Sequence, residues 1–144
     1  MKHMKNILII NGPNLNMLGQ REPLVYGTDS LDDIRVWTEA KIKSKASLDW
    51  YQSNVEGEIV SRIQAAHSEN YDALIINPGG YAHTSVAIHD ALKILKIPVI
   101  EVHLSQVYKR EEFRHTLLTA KAATAIMSGL GKQSYYIAIH SLVD

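Results

Sequence analysis

Proton transfer at neutral pH needs a base, an acid and something to hold the charge that develops between them. This sequence offers such groups in three places. The first is Arg21 and Tyr26, five residues apart in a stretch rich in Gly and Pro. A phenol of ordinary pKa, about 10, is only about 0.1% ionised at pH 7, so its use as a base takes roughly 4 kcal/mol of help. A guanidinium held close by and screened from water supplies such help, and Arg21 lies on the same loop. A loop tyrosine packing its ring on the surface fits the same residues. The second group is Glu101, His103 and Ser105 at the end of an apolar run. Strand alternation puts Glu101 and His103 on one side, and an imidazole titrating near neutrality is a natural proton donor or acceptor there. A histidine satisfied inside the core reads equally well. The third is the run Asn77-Pro78-Gly79-Gly80-Tyr81-Ala82-His83-Thr84-Ser85, between an apolar strand and an amphipathic segment. Pro and two Gly allow a sharp turn and a close backbone approach to a ligand. Asn77 and His83 flank the turn, and a helix N-terminus behind it offers free N–H groups and partial positive charge. Together they read as the floor of a site for a small, oxygen-rich anion, or as a capped tight turn.

Around these groups stand Asn14, Asp90 and Arg114. His83 and Asp90 are seven apart, two helical turns, and can share a face to bind ligand hydroxyls or a neighbouring subunit. A local cap and a surface carboxylate describe them as well. Arg114 suits a bidentate grip on a carboxylate, while Glu111 and Glu112 offer it local ion pairs instead. None of the seven histidines has the spacing of a metal motif, and the absence of cysteine rules out thiolate chemistry and disulfides. The turn Gly12-Pro13-Asn14-Leu15-Asn16 is not a dinucleotide fingerprint.

The 144 residues must position these groups, and that length suits one domain, with residues 1–4 read as an N-terminal extension. Fifteen Lys and Arg balance fifteen Asp and Glu, which gives no electrostatic footprint for nucleic acid or an anionic membrane. Apolar runs fall well short of a membrane span and no signal peptide is apparent, so a cytoplasmic protein is expected. Continuous apolar runs at 6–11, 73–76 and 99–104 predict strands buried on both faces, with further strands at 48–53 and 122–127. Helical spacing predicts helices over 31–45, 56–68, 85–95 and 134–142, the first opened by a Ser30–Asp33 capping box and the third ending before Pro98. A short helical turn is expected over 110–114. Residues 12–29 form a loop long enough to be a lid. The order predicts a doubly wound five-stranded parallel sheet with helices on both faces, whose loops after strands one, three and four converge on one crevice.

Five motifs, at 12–19, at 21–23 with Tyr26-Gly27, at 52–58, at 77–85 and at 101–105, closely resemble type II 3-dehydroquinate dehydratase from about Lys5 to the C-terminus. The resemblance implies a flavodoxin-like domain, a hydro-lyase of the shikimate pathway or of quinate breakdown. It would dehydrate 3-dehydroquinate to 3-dehydroshikimate by anti elimination through an enolate, with no cofactor and no metal. Tyr26 would take the proton alpha to the ketone, with Arg21 supporting the anionic base. His103 would protonate the departing hydroxyl, oriented by Glu101, and Asn14 would stabilise the enolate through a bound water. Asn77, His83, Asp90, Leu104, Ser105 and Arg114 would bind substrate. Trimers packed into dodecamers are implied, with Asp90 reaching a neighbouring subunit's site. A Schiff-base route would need a lysine in the crevice, and Lys109 is the nearest.

The sequence departs from the family's usual NPGAYTHTS at Gly80 and Ala82, which changes side chains near the ligand and is expected to loosen the turn at Gly80. It departs again at Val55, where a subunit-contact effect is expected, and at Gln106-Val107-Tyr108. None touches Tyr26, Arg21 or His103, so activity is expected to survive. Two competing classes remain at this point, a flavodoxin-like module binding a nucleotide, flavin or phosphate, and an inactive assembly homologue.

Overall fold

The computed structural model describes residues 4–144, so most of the expected N-terminal extension, residues 1–3, lies outside the described residues. Five strands, β1 (Lys5–Asn11), β2 (Ala46–Gln52), β3 (Ala73–Asn77), β4 (Val99–His103) and β5 (Ala125–Ser128), form one parallel sheet in the order β2-β1-β3-β4-β5. That is the flavodoxin-like order, with its topological switch point between β1 and β3.

The continuous apolar runs make sense in this sheet because alternate residues serve opposite faces. Ile7, Ile9 and Ile75 face one layer, where they meet Ile34, Ile42, Tyr135 and Ile139 of helices α2 (Leu31–Ile42) and α5 (Gln133–Val143). Leu8, Ile10, Leu74 and Ile76 face the other, against Ile59, Ile63, Ile88 and Leu92 of α3 (Glu56–Ser68) and α4 (Val86–Leu92). The capping box forms as expected, with Asp33 N–H donating to Ser30 Oγ and Ser30 N–H to Asp33 Oδ2, each at 3.0 Å. Among the described residues, no helix is long and apolar enough to cross a membrane.

Several boundaries move for local reasons. The helix expected over 31–45 ends at Ile42, because Lys43 takes φ 55° and residues Lys43–Lys45 tighten into a 3-10 turn. β2 consequently starts at Ala46, two residues early. The last strand starts at Ala125 rather than 122, since Thr119–Ala122 form another 3-10 turn. α4 spans only Val86–Leu92, after which Ile94 and Leu95 N–H bond three residues back. The turn expected over 110–114 narrows to Glu112–Arg114. The long loop of 12–29 contains a 3-10 turn, Leu15–Met17, and one turn of helix, α1 (Pro23–Tyr26), with Pro23 at its first position.

Candidate active site

The floor of the site is built where β1 and β3 end side by side. Gly12 N–H donates to Asn77 O at 2.8 Å, and a Cβ added to Gly12 would stand 2.5 Å from Pro78 O. Gly79 returns the contact from φ 58°, with its Cβ position 3.0 Å from Pro13 O. These approaches let two loops share one floor, which is why glycine is needed at both places. The motif after β2 braces the floor from the side. Gln52 Nε2 donates to Gly12 O at 3.1 Å, Asn14 N–H donates to Asn54 Oδ1 at 2.9 Å, and Tyr81 Oη donates to Asn54 O at 2.7 Å. Asn14 itself sits in the left-handed region at φ 69°, which asparagine tolerates better than most side chains.

Asn77 is 3% exposed and its amide is held from below. Its Nδ2 donates to Tyr135 Oη at 3.0 Å, its Oδ1 accepts from Gly79 N–H at 3.2 Å, and Tyr135 Oη donates to Asn11 Oδ1 at 2.6 Å. Burial pushes the Tyr135 phenol well above its ordinary range, so it stays neutral and acts as a fixed donor.

One wall carries the acid candidate. His103 ends β4 and is 6% exposed, and its Nε2 lies 2.8 Å from Oε2 of the fully buried Glu101. An ionised carboxylate can only accept, so Nε2 carries a proton and Nδ1 is the nitrogen left for the cleft. The other carboxylate oxygen accepts from Thr119 Oγ1. His83 stacks beside His103, with ring centroids 6.5 Å apart, and its Nδ1 donates to Thr116 O at 2.9 Å. Burial, chiefly, holds the His83 imidazole below its usual range, with His103 and Arg114 acting the same way and the Thr116 bond opposing.

A second wall carries the base candidate. Tyr26 ends α1, and its Oη accepts from Arg110 Nη1 at 2.6 Å. The Arg21 guanidinium carbon is 4.6 Å from the Tyr26 ring centroid and that of Arg110 is 5.0 Å away. Arg21 therefore covers the ring, while Arg110 meets the oxygen. Arg110 is held by a weaker bond to Ser105 Oγ at 3.4 Å and by His115 Nε2 on its carbonyl at 3.1 Å.

Between the walls lies a cleft of about 250 Å³. Asn14, Arg21, Tyr26, Asn77, His83, His103, Leu104, Ser105 and Arg114 all line it, and Glu101 stands behind His103. Asp90 is not brought in. His83 belongs to the 3-10 turn Gly79–His83 rather than to α4, so the expected shared helix face does not form, and Asp90 instead meets His89 Nδ1 at 2.8 Å. For the same reason the N-terminus of α4 does not open onto the floor. Ser85 caps it through Ile88 N–H, and neither residue lines the cleft. Arg114 lines the cleft while its Nε is paired with Glu111, whose carboxyl this pairing holds below the usual range. Among the described residues no three His, Cys, Asp or Glu gather as a metal site.

Three residues with evident parts in the site escaped sequence reasoning, namely Arg110, Thr119 and Tyr135. Arg110 had a usable signal, since it follows β4 on the same converging edge as His103. Of the departures noted in the sequence, Gly80 lines the cleft with nothing within 4 Å of its Cβ position, so alanine would fit there. Ala82 lies beneath the site instead of beside the ligand, fully buried with Val107 and Leu117. Val55 is exposed at the start of α3.

The pattern of the family described as Dehydroquinase class II matches residues 5–143. A 3-dehydroquinate dehydratase of Fusobacterium nucleatum is 51% identical over 142 residues, covering 96% of each chain. One of Caldicellulosiruptor bescii is 49% identical over 142 residues, covering 98% of each. The crystal structure of the type II dehydroquinase of Butyrivibrio crossotus superposes with a TM-score of 0.95 at 43% identity, covering 98% of this chain and 99% of that one. With the family pattern spanning residues 5–143 and relatives about 50% identical over nearly the whole chain, this protein belongs to the class II dehydroquinase family.

Proposed function

We propose that the cleft dehydrates 3-dehydroquinate to 3-dehydroshikimate, the activity for which the relatives are named. The observation that carries this reading is that two polarised groups line one small cleft. One is a phenol oxygen 2.6 Å from a guanidinium, and the other an imidazole 2.8 Å from a buried carboxylate. Loss of a hydrogen alpha to a ketone, followed by loss of hydroxide, needs that pairing.

In this reading Tyr26, as phenolate, takes the hydrogen alpha to the ketone, and the electron pair passes into the carbonyl as an enolate. Arg110 and Arg21 stabilise the phenolate, Arg110 at the oxygen and Arg21 across the ring. Asn14, through a bound water, steadies the enolate oxygen. When the enolate collapses, the carbon–oxygen bond opposite breaks and His103 Nδ1 gives its proton to the leaving hydroxide, so that water departs. Glu101 holds the imidazolium. Asn77, His83, the Leu104–Ser105 turn and Arg114 hold the hydroxyls and carboxylate, the last as a guanidinium–carboxylate pair. Among the described residues no lysine lines the cleft, which fits an enolate better than a Schiff base. Residues 12–29 act as a lid, the enzyme works in the cytoplasm, and trimers assembled into a dodecamer bring Asp90 to a neighbouring subunit's site.

The test is purified protein mixed with 3-dehydroquinate, with the conjugated enone product followed by ultraviolet absorbance. Turnover that persists after borohydride treatment and with chelator present is expected. Loss of turnover after borohydride would replace the enolate route by an imine, and no turnover at all would leave a binding module or an inactive homologue.

A further inference from the structure

The buried side of the acid pair ends on a hydroxyl group. Glu101 has no exposed surface, and its two oxygens are divided between His103 Nε2 and Thr119 Oγ1. Thr119 is also fully buried, at the start of the 3-10 turn Thr119–Ala122 that packs against β4. A threonine hydroxyl has one proton to donate, and a carboxylate oxygen is its strongest acceptor. Donation to Oε1 favours the ionised carboxylate, which leaves Oε2 able only to accept from the imidazole.

We propose that Thr119 is a positioning residue for the acid, its hydroxyl keeping Glu101 an ionised acceptor, so that Nε2 keeps its proton and Nδ1 gives its own from an imidazolium rather than from a less acidic neutral ring. The inference rests on the acid role given to His103 above. Without the hydroxyl, a buried carboxylate with one partner fewer favours its neutral form. Glu101 would then donate to Nε2, and the neutral ring would change tautomer. The lost bond stabilised the more negative state of the pair, so the pair would hold its proton to higher pH. Among the described residues, the other titratable and charged groups of this cleft are His83, stacked beside the ring, and Arg21, Tyr26, Arg110 and Arg114, which line the same cleft. From α5, Ser134 reaches only the His103 carbonyl. Substitution at Thr119 touches none of these, so a change in His103 titration reports the Glu101 contact.

The experiment uses Thr119→Val, which keeps the volume and removes the hydroxyl, and Thr119→Ser, which keeps the hydroxyl. The His103 ring is followed by NMR on nitrogen-labelled imidazole, its signals identified with His103→Asn, and kcat/KM is measured against pH in the same proteins. In Thr119→Val the His103 midpoint and the alkaline limb are expected to move up by about one unit, with kcat down about tenfold. Thr119→Ser should restore both. An unchanged His103 midpoint in folded Thr119→Val overturns the proposal, whatever happens to stability. A shifted midpoint with unchanged kcat/KM upholds the Thr119 contact and removes His103 from the acid role instead. If valine at 119 prevents folding, Thr119→Ala reads the same midpoint.

Discussion

The two walls of the cleft are built on opposite plans. The wall of the proposed acid grows out of the sheet, with His103 the last residue of β4, Glu101 two residues before it on the same side, and Thr119 closing the other carboxylate oxygen. The wall of the proposed base hangs on a loop. Tyr26 ends a single helical turn beside Leu24, which is fully exposed, and the polar anchor of its oxygen is Arg110, 84 residues away. A carboxylate–imidazole pair loses its solvation when buried and needs partners for every atom, so it belongs in the rigid interior. The proposed base stands on a helical turn with no buried residue, where local opening is least costly.

The largest effect expected from this contrast is that of Tyr26→Phe. It should lower kcat by about 10² to 10⁴ while moving stability by no more than about 0.5 kcal/mol, measured by steady-state assay and thermal melting. A large loss of stability would mean that the base wall is as structural as the acid wall. Ile10→Ala asks the reverse question on the buried side. It should cost about 2–5 kcal/mol of unfolding free energy in a denaturant titration and leave kcat and KM of the folded fraction unchanged. Next comes Arg110→Met, which removes the donor at the phenol oxygen but keeps most of the side chain. A fall in kcat/KM of about ten- to a hundredfold is expected, as for a lost charged hydrogen bond, with the acidic limb of the pH profile moving up. Arg21→Met should fall less at the same limb, because its guanidinium faces the ring. Equal effects would erase the distinction between them.

The smallest expected effect is a slope. His83 is held below the ordinary imidazole range chiefly by burial, so the folded state binds fewer protons there than the unfolded chain does. Its contribution is therefore intact above the unfolded value, about 6.5, and is lost as pH falls from there towards the depressed folded value. His83→Asn should flatten the decline of melting temperature over that interval. An unchanged slope would show that His83 is not desolvated in solution.

How much of this was legible in the sequence follows the same division. The apolar runs of β1, β3 and β4 and the capping box at Ser30 were readable because each is a local pattern tied to one period or one hydrogen bond. The Asn77-Pro78-Gly79 floor was readable for the same reason, although its fit against Gly12 and Pro13 required the parallel register. Glu101 and His103 were readable as a pair because strand alternation sets them on one side. Arg110 and Thr119 were not, since what makes them matter is a bond to Tyr26 or Glu101 across many residues of chain, and no period encodes it. The expected His83–Asp90 face failed because a 3-10 turn, not the helix, holds His83. The effect assigned to Ala82 failed because alanine at that place in the turn points inward, against Val107 and Leu117. A short turn decides direction residue by residue, which composition does not reveal.

Exchange of the hydrogen alpha to the ketone in heavy water tests most directly the claim that the walls divide the reaction into two steps. His103→Asn and Tyr26→Phe would each be incubated with 3-dehydroquinate, with deuterium uptake followed by NMR and enone formation by absorbance. His103→Asn should exchange that hydrogen while forming little enone, because the base still acts and the leaving group is stranded. Tyr26→Phe should do neither. Exchange at the normal rate in Tyr26→Phe, or its absence in His103→Asn together with full dehydration, would contradict the division of labour between the two walls.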